Sequence, residues 1–254
     1  MEGETDEPGS PKFEIITPKG RSNSSRGYTG PGIATYVVDE EGSTEKFAGE
    51  YIGGIRHGPG EYQFSDGSLF KGSYENNKKS GLGDATYKKR EVNEDGMVTS
   101  TILDGVNSAP RREAHETGEA KYFGHFVEGA RQTQGCMVYP NGDVYQGEWF
   151  AGQKHGEGSY RFSADGSVLS GHWVAGSLKR GRWILPTGAV FVGEFELNKP
   201  TGKGAWILPG GSQRREASSQ GGSEEVAAEE EEGSGKYEIE QMQMRCICCV
   251  ATRE

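Results

Sequence analysis

The sequence predicts an all-β protein: an elongated, single-layer antiparallel sheet of stacked hairpins with disordered termini. Two observations lead to this prediction. Glycines and aromatic residues alternate along short segments that recur at a nearly constant interval, as from Gly49 to Gly72. In addition, 41 of the 254 residues are glycine, whereas only 32% are hydrophobic. Alternation with a period of two is typical of strands, and this composition places apolar area in rings at intervals rather than in a thick core.

The segment 145–166, with the sequence YQGEWFAGQKHGEGSYRFSADG, is the repeating unit. Its first strand places Tyr145, Gly147 and Trp149 on one face, because side chains alternate along a strand. Gly152 can supply the positive φ of the turn to a second strand, and the Asp-Gly pair at the end marks the next turn. A glycine between two rings leaves a slot for a neighbouring ring, so the unit needs copies of itself on both sides.

Six units and one partial unit follow this pattern. Their first-strand glycines are Gly49, Gly72, Gly124, Gly147, Gly171 and Gly193. The interval from Gly72 to Gly124 is more than twice the others, so the second unit is followed by an insertion longer than one repeat. We expect this insertion, at about 88–119, to be a lengthened hairpin with a loose loop. The partial unit at 30–42 has a second strand without a clear first strand, as is typical of a terminal cap.

The repeats divide the chain into three parts. Residues 1–24 are rich in Gly, Pro, Ser and charge, and we expect disorder there, or one added strand if the patch 13–16 pairs with the sheet edge. The array occupies residues 25–211. Residues 212–254 form an acidic, cysteine-containing flexible tail, of which 212–235 is expected to be disordered.

The repeating pattern resembles the MORN repeat over about residues 27–211. The resemblance implies an elongated, twisted antiparallel sheet of successive hairpins that serves assembly in cytoskeletal, ciliary and junctional proteins. Among such proteins the chain is most similar to the radial spoke head MORN proteins of cilia and flagella. The NKPTGKG run at 198–204 and the acidic run at 229–232 carry this finer similarity, and the long insertion departs from it.

The second ring of each first strand defines a candidate groove. We expect these rings to line a long face that binds an extended protein partner or a second copy of the chain, apart from rings that are used in packing between units. The candidate groove or packing aromatics are Tyr51, Tyr74, Phe126, Trp149, Trp173 and Phe195.

The sequence does not predict catalytic chemistry. His57 and His155 each precede a glycine, but such a permissive position favours hydrogen bonding or packing over a base or a ligand. The equivalent positions of the other units hold Ser80, Gln134, Arg180 and Thr201. The Gly-x-Gly pairs lie within hairpins, whereas a phosphate loop opens a helix after a strand. Three recurring carboxylates are expected to form a solvated face: Glu50, Glu148 and Glu194. We therefore expect no enzyme, no cofactor and no metal.

The net charge of −10 is concentrated in residues 221–254, which hold nine Glu against three cations. An acidic chain gives no electrostatic reason to expect nucleic acid as a partner. No apolar run reaches the roughly 20 residues that span a bilayer. The N-terminal residues also lack the features of a secretory signal, so a cytoplasmic protein is the default.

The cysteines fall into two groups. Cys246, Cys248 and Cys249 in the tail are candidate modified thiols that could accept palmitate or bind metal, the simpler alternative being reactive thiols in a mobile tail. Four cysteines in a cytosolic-looking chain argue against a disulfide framework, and Cys136 is expected to be a small buried residue in a repeat strand.

Together these observations favour a non-enzymatic scaffold of the ciliary or flagellar axoneme, a radial spoke head component whose partners are other spoke-head proteins. The alternative is a membrane-associated MORN adaptor that contacts lipids or is tethered through the tail cysteines. Lipid binding should need a basic stripe, and the sequence lacks one. An enzyme with a regulatory MORN segment would need a catalytic domain, and the array and the tail leave no room for one. Calcium, nucleotides and lipids are expected to bind weakly or not at all.

Overall fold

A computed structural model describes residues 12–88 and 118–209, together with the backbone of 213–215. The described residues fall into two compact units: 12–88 with 125–130, and 118–124 with 131–209 and 213–215. Each unit contains only antiparallel strands, and no described residue is helical. The predicted all-β class with antiparallel hairpins is therefore confirmed.

The first unit is an open antiparallel sheet. Its strands are β1 (Phe13–Thr17), β2 (Gly20–Ser22), β3 (Gly30–Val37), β4 (Thr44–Ile52), β5 (Ile55–Gln63), β6 (Leu69–Glu75) and β7 (Lys78–Lys88). They lie in the order β2-β1-β3-β4-β5-β6-β7. Residues 125–127, the end of the next strand, also belong to this unit.

The second unit is an open antiparallel sheet in which each strand neighbours the next one in sequence. Its strands are β8 (Glu119–Val127), of which residues 119–124 belong to this unit, β9 (Ala130–Val138), which belongs to it from residue 131, β10 (Val144–Phe150), β11 (Gln153–Arg161), β12 (Val168–Val174), β13 (Ser177–Ile184), β14 (Val190–Glu196), β15 (Lys199–Ile207) and β16 (Gln213–Arg215). The β4–β5, β6–β7, β8–β9, β10–β11, β12–β13 and β14–β15 hairpins correspond to the six predicted units.

The N-terminal segment is part of the sheet from residue 13 onward. β1 pairs with β3, with Ile15 opposite Ala34, and β2 pairs with the other edge of β1. The disorder expected for this stretch is therefore replaced by the alternative, an added strand. The reason is burial: Ile15 is 1% exposed, and its Cδ1 would lie 3.0 Å from a Cβ at Gly32. β1 thus supplies the first strand that the partial unit lacks in the sequence.

Two other predicted segments lie mostly outside the described residues. The insertion predicted at about 88–119 falls between Lys88 at the end of β7 and Glu119 at the start of β8. In the tail predicted from residue 212, the structure describes only β16, whose backbone pairs with β15 instead of being disordered.

Each of the six hairpins turns through two residues with positive φ, the arrangement of a type I′ turn. These pairs are Gly53-Gly54, Asn76-Asn77, Glu128-Gly129, Ala151-Gly152, Ala175-Gly176 and Leu197-Asn198. The predicted positive φ of Gly152 is therefore correct. The twist of this turn matches the right-handed twist of strands, which explains why one turn type recurs.

β-Bulges within the hairpins explain the uneven repeat spacing. In the β10–β11 hairpin Gly147 is opposite Gly158 and Glu148 is opposite His155, so the second strand carries two extra residues. In β12–β13 the Gly171–Gly181 pair is followed by only one extra residue, between Leu178 and Arg180. This shorter bulge offsets the residue added before Gly166, so a long interval between first-strand glycines is followed by a short one.

Candidate functional site

The six candidate groove aromatics all lie on one face of the repeats, and all are buried. The exposed fractions are 2% for Tyr51, 4% for Tyr74, 2% for Phe126, 2% for Trp149, 1% for Trp173 and 3% for Phe195. These side chains therefore pack against the repeats themselves and do not line an open groove. This burial agrees with the second role expected for these rings, which is packing between repeats.

Paired glycines create the space for this packing. A Cβ placed at Gly147 would lie 2.4 Å from Cα of Gly158, and one at Gly158 would lie 2.3 Å from Oη of Tyr145. Tyr145 precedes Gly147 by two residues, so the slot above the glycines is filled by a ring of the same strand rather than of a neighbouring unit. The same arrangement occurs at Gly49 and Gly60 with Phe47, Gly72 and Gly83 with Phe70, Gly124 and Gly135 with Tyr122, and Gly193 and Gly204 with Phe191.

The rings form a ladder of edge-to-face contacts within each unit. In the second unit the ring of Tyr145 lies 5.2 Å from Trp149 at 88° and 5.3 Å from Trp173 at 77°. In the first unit the ring of Phe47 lies 5.4 Å from Tyr51 and 5.0 Å from Tyr74, both in T-shaped geometry. Each such pair contributes about 0.5–1.5 kcal/mol beyond its buried area, so the ladder joins successive hairpins.

A ladder of cations accompanies the rings, and the sequence analysis missed it. Arg56, Lys79, Arg131 and Lys154 occupy the same position of their repeats, two residues after the positive-φ pair of the hairpin turn. Each cation lies within 6.0 Å of at least two ring centroids. The signal was available in the sequence, because these cations recur at the same interval as the first-strand glycines. The last two hairpins hold Leu178 and Pro200 at this position.

Lys154 shows the strongest form of this arrangement. Its side chain is fully buried, with 0% exposure. Its Nζ lies over four ring centroids, at 5.6 Å from Tyr139, 5.7 Å from Tyr145, 5.0 Å from Tyr160 and 5.3 Å from Trp173. The protein's own ammonium therefore occupies an aromatic cage of the kind that could otherwise hold a ligand cation.

Arg56 occupies the corresponding place in the first unit, among tyrosine hydroxyls. Its Cζ lies 5.1 Å from the ring centroid of Tyr62 and 5.5 Å from that of Tyr74. The hydroxyl of Tyr62 donates to Oε2 of Glu45 at 2.6 Å. Burial raises the pKa of Tyr51, Tyr62 and Tyr74, because desolvation disfavours the phenolate. All three hydroxyls are therefore neutral. Those of Tyr51 and Tyr62 form hydrogen bonds, whereas the buried hydroxyl of Tyr74 has no hydrogen-bond partner among the described residues.

The histidines and carboxylates singled out in the sequence lie near the solvent side. His155 is opposite Glu148, and its ring lies 5.5 Å from that of Phe150. The β8–β9 residue equivalent to His155 is Gln132, not Gln134, because Thr133 has the positive φ found at Gly156. Glu50, Glu148 and Glu194 are half-buried on the face away from the rings. Within residues 12–88 and 118–209, no group of three or more His, Cys, Asp or Glu could hold a metal ion.

The cysteines are only partly within the described residues. Cys136 in β9 is buried, as expected, but it is disulfide-bonded, although the sequence argued against a disulfide framework. The candidate modified thiols Cys246, Cys248 and Cys249 lie outside the described residues.

The face opposite the rings carries a hollow in each unit. The hollow of the first unit measures about 370 Å³ and is mainly apolar, with Ile16, Ile33, Pro31 and Ala48 in its lining. Ile16 is opposite Ile33, which in turn is opposite Ala48, so these side chains form a row across β1, β3 and β4. The exposed fraction is 41% for Ile16 and 51% for Ile33.

The hollow of the second unit is charged. It measures about 620 Å³ and lies over β13, β14 and β15, with Lys179, Arg180, Glu194, Glu196 and Lys203 in its lining. In both units, therefore, the exposed side chains lie on the solvent face, which is the face opposite the rings. The ring face is closed by its own packing. The described part of the chain, which consists of strands and turns, contains no helix that could span a bilayer.

Comparison with known proteins identifies both the repeat and a set of relatives. Alsin from rat and alsin from human are each 25% identical to this chain over 144 residues. The alignment covers 55% of this chain and 7% of alsin, so the chain spans only a small part of these curated relatives.

The MORN repeat matches residues 47–69, 70–90, 122–144, 145–167 and 191–213. Each match begins at the ring that covers a glycine pair, from Phe47 to Phe191. The β12–β13 hairpin is not among these matches, and it differs by having Leu169 in place of that ring and by having the shorter bulge. The chain therefore contains five MORN repeats, with a sixth hairpin of the same architecture between the last two.

Proposed function

We propose that this protein is a non-enzymatic scaffold that binds other proteins through the solvent face of its MORN hairpins. We further propose that it acts in the ciliary or flagellar axoneme, with radial spoke head proteins as its partners. The axonemal part of the proposal rests on the sequence similarity of the 198–204 and 229–232 segments to radial spoke head MORN proteins.

The observation that carries the scaffold proposal is the closed ring face. All six rings that the sequence suggested as a groove are at most 4% exposed. The aromatic cage that could hold a ligand cation is already filled by the ammonium group of Lys154, which is fully buried. The described residues therefore present a series of strands whose solvent face and turns are available for contact. A surface of this kind suits recognition of another protein better than it suits a small substrate.

The apolar row of the first unit is the best candidate for this contact. Ile16, Ile33 and Ala48 are neighbours across three strands and are exposed, although most solvent-face residues around them are polar or charged. Exposed apolar groups that cluster beside a hollow mark protein interaction sites more often than isolated ones do. An extended segment of a partner could place an apolar side chain in the hollow between Pro31 and Ile33.

Affinity purification of a tagged full-length chain from isolated axonemes tests both parts of the proposal. We expect recovery of spoke-head proteins with the wild-type chain and loss of that recovery with Ile33→Asp. Thr35→Asp is the matched control, because Thr35 lies two residues away on the same strand and is polar already.

Two outcomes would contradict the proposal. Recovery of membrane vesicles and lipid kinases without axonemal proteins would favour the membrane adaptor instead. Equal recovery of spoke-head proteins by wild-type and Ile33→Asp chains would show that the apolar row is not the contact surface.

A further inference from the structure

The solvent face of the last two hairpins is positively charged, although the chain as a whole is acidic. Lys179 and Arg180 lie on β13 and Lys203 lies on β15, and all three are exposed and line the charged hollow. We call these three residues the basic patch. The only carboxylates among the residues lining the hollow are Glu194 and Glu196, which leaves a local net charge of +1.

The carboxylate of Glu194 does not neutralise the patch. It is shared between two cations, with Arg180 at 4.0 Å and Lys203 at 3.5 Å. The side chains of Arg180 and Lys203 are still 81% and 74% exposed. Their donors therefore face solvent around the charged hollow, where a second anion can approach without displacing Glu194.

The chain leaves the described sheet beside this patch. In β16, Arg215 is opposite Ala205, which is two residues from Lys203 on β15. The segment that follows, 216–235, contains seven Glu and no Asp, Lys or Arg, a net charge of −7. Its densest part is the run of four Glu at 229–232. When extended, the chain between Arg215 and this run can span up to about 45 Å, so the run can reach any residue of the patch.

From this charge complementarity and chain length, we infer that the basic patch is a binding site for an acidic peptide segment, and that its occupant is residues 224–232 of the same chain. Residues 224–232 contain no cation, and the hollow is open enough for an extended strand of carboxylates. The bound tail covers the solvent face of β13–β15 and withholds it from other acidic partners. An acidic segment of another protein gains this site only by displacing the tail.

The strength of this masking follows from the covalent tether. Tethering through a short segment gives the tail a local concentration of about 1 mM at the patch. For an external acidic peptide that binds with a Kd of about 0.1 mM, the tail therefore weakens the apparent affinity about tenfold. The interaction between exposed charges is also screened by salt, with a Debye length of about 8 Å at physiological ionic strength.

The test uses the full-length chain and a fluorescently labelled peptide with the sequence of residues 223–235. Fluorescence anisotropy at low salt compares the wild-type chain with a variant in which the six glutamates of 224–232 are replaced by Gln. We expect the Gln variant to bind the peptide about tenfold more tightly than the wild-type chain. Adding Lys179→Glu, Arg180→Glu and Lys203→Glu to the Gln variant should abolish peptide binding.

A matched charge control separates a specific site from net charge. Lys46→Glu, Lys71→Glu and Lys121→Glu in the Gln variant change the net charge by the same amount at exposed positions away from the patch. We expect this control to keep the peptide affinity of the Gln variant, and both triple variants to keep the thermal midpoint of the Gln variant.

Several results would overturn the inference. Equal peptide affinity of the wild-type chain and the Gln variant would mean that the tail does not occupy the site. Retained binding after reversal of the patch, or equal loss in the control, would mean that the patch is not the site. Binding of the Gln variant to phosphatidylserine vesicles but not to the peptide would assign the patch to a membrane surface. None of these results depends on whether axonemal proteins are the partners.

Discussion

Trp149→Ala is the substitution that tests most directly whether the ring ladder is the core of the second unit. Trp149 is 2% exposed, and its ring makes T-shaped contacts with Tyr122 at 5.3 Å and Tyr145 at 5.2 Å. Its Nε1–H donates to the carbonyl oxygen of Gly135 at 3.2 Å, and Cζ of Arg131 lies 4.5 Å from the ring centroid. The indole therefore joins the β8–β9 hairpin to β10.

The expected cost is about 3–5 kcal/mol of unfolding free energy, the range for replacing a buried Trp by Ala. The upper half of this range is favoured here, because the glycine pairs fix the backbone spacing and limit collapse around the cavity. The carbonyl of Gly135 also loses its donor, which adds about 1 kcal/mol if water does not replace the indole. With a urea m value of about 2 kcal/mol/M, a loss of about 4 kcal/mol lowers the unfolding midpoint by about 2 M.

Urea unfolding followed by circular dichroism measures this shift. Phe150→Ala is the matched control, because Phe150 is the next residue on β10, also aromatic, but 57% exposed on the opposite face. We expect Phe150→Ala to change the unfolding free energy by less than about 0.5 kcal/mol. Equal midpoints for the two variants would refute the assignment of the core to the ring face.

Four further predictions concern the remaining features. Gly49→Ala should cost about 2–3 kcal/mol, since its Cβ would lie 2.7 Å from Cα of Gly60, whereas Gly53→Ala, with open space around the Cβ, should cost about 1 kcal/mol in urea unfolding. Lys154→Leu should leave the unfolding free energy measured by calorimetry unchanged or raise it, because apolar groups of similar volume replace buried charges well. Lys154→Ala should lower it by about 2–4 kcal/mol. A large loss for Lys154→Leu would show that the charge itself is required. Burial raises the pKa of Tyr74 above its ordinary value of 10.0, so the fold is most stable below that pH and loses stability as pH rises above it. Tyr74→Phe should therefore reduce the fall in the urea midpoint between pH 9 and pH 11. An unchanged fall would contradict this. Replacing residues 89–117 by a short turn should leave the strand content unchanged in far-UV circular dichroism, and a loss of strand signal would show that the insertion belongs to the fold.

The hairpin array could be predicted from the sequence because its signals are local. Type I′ turns need residues that adopt positive φ, and Gly152 and the Asn76-Asn77 pair are of this kind. Alternating residues such as Tyr145, Gly147 and Trp149 define one face of a strand directly. The hairpin without a MORN match was also predicted, since Gly171 and Trp173 keep the pattern where Leu169 does not.

The function of the ring face could not be read in the same way. Alternation places six rings on one side, but it does not say whether other groups cover that side. In the structure Tyr145 lies over the glycine pair of its own hairpin, and Lys154 fills the remaining space among the rings. Lysine is usually exposed. If Lys154 is assigned to the surface for that reason, the rings remain uncovered and a groove is predicted.

The solvent face depends on contacts between strands that are distant in sequence. The row of Ile16, Ile33 and Ala48 requires the β1–β3 pairing, which the sequence offered only as an alternative. The basic patch likewise combines β13 and β15 and depends on the bulge registers of two hairpins, which no local signal gives.

Hydroxyl-radical footprinting of the full-length chain, read by mass spectrometry, tests the central claim that the ring face is closed and the solvent face is open. We expect Trp149 and Trp173 to be protected in the folded chain and Phe150 and Ile33 to be modified. A bound partner should protect Ile33 without changing the two tryptophans. Modification of Trp149 and Trp173 at the rate of Phe150 in the free chain, followed by protection when a partner binds, would show instead that the ring-lined groove is the binding surface.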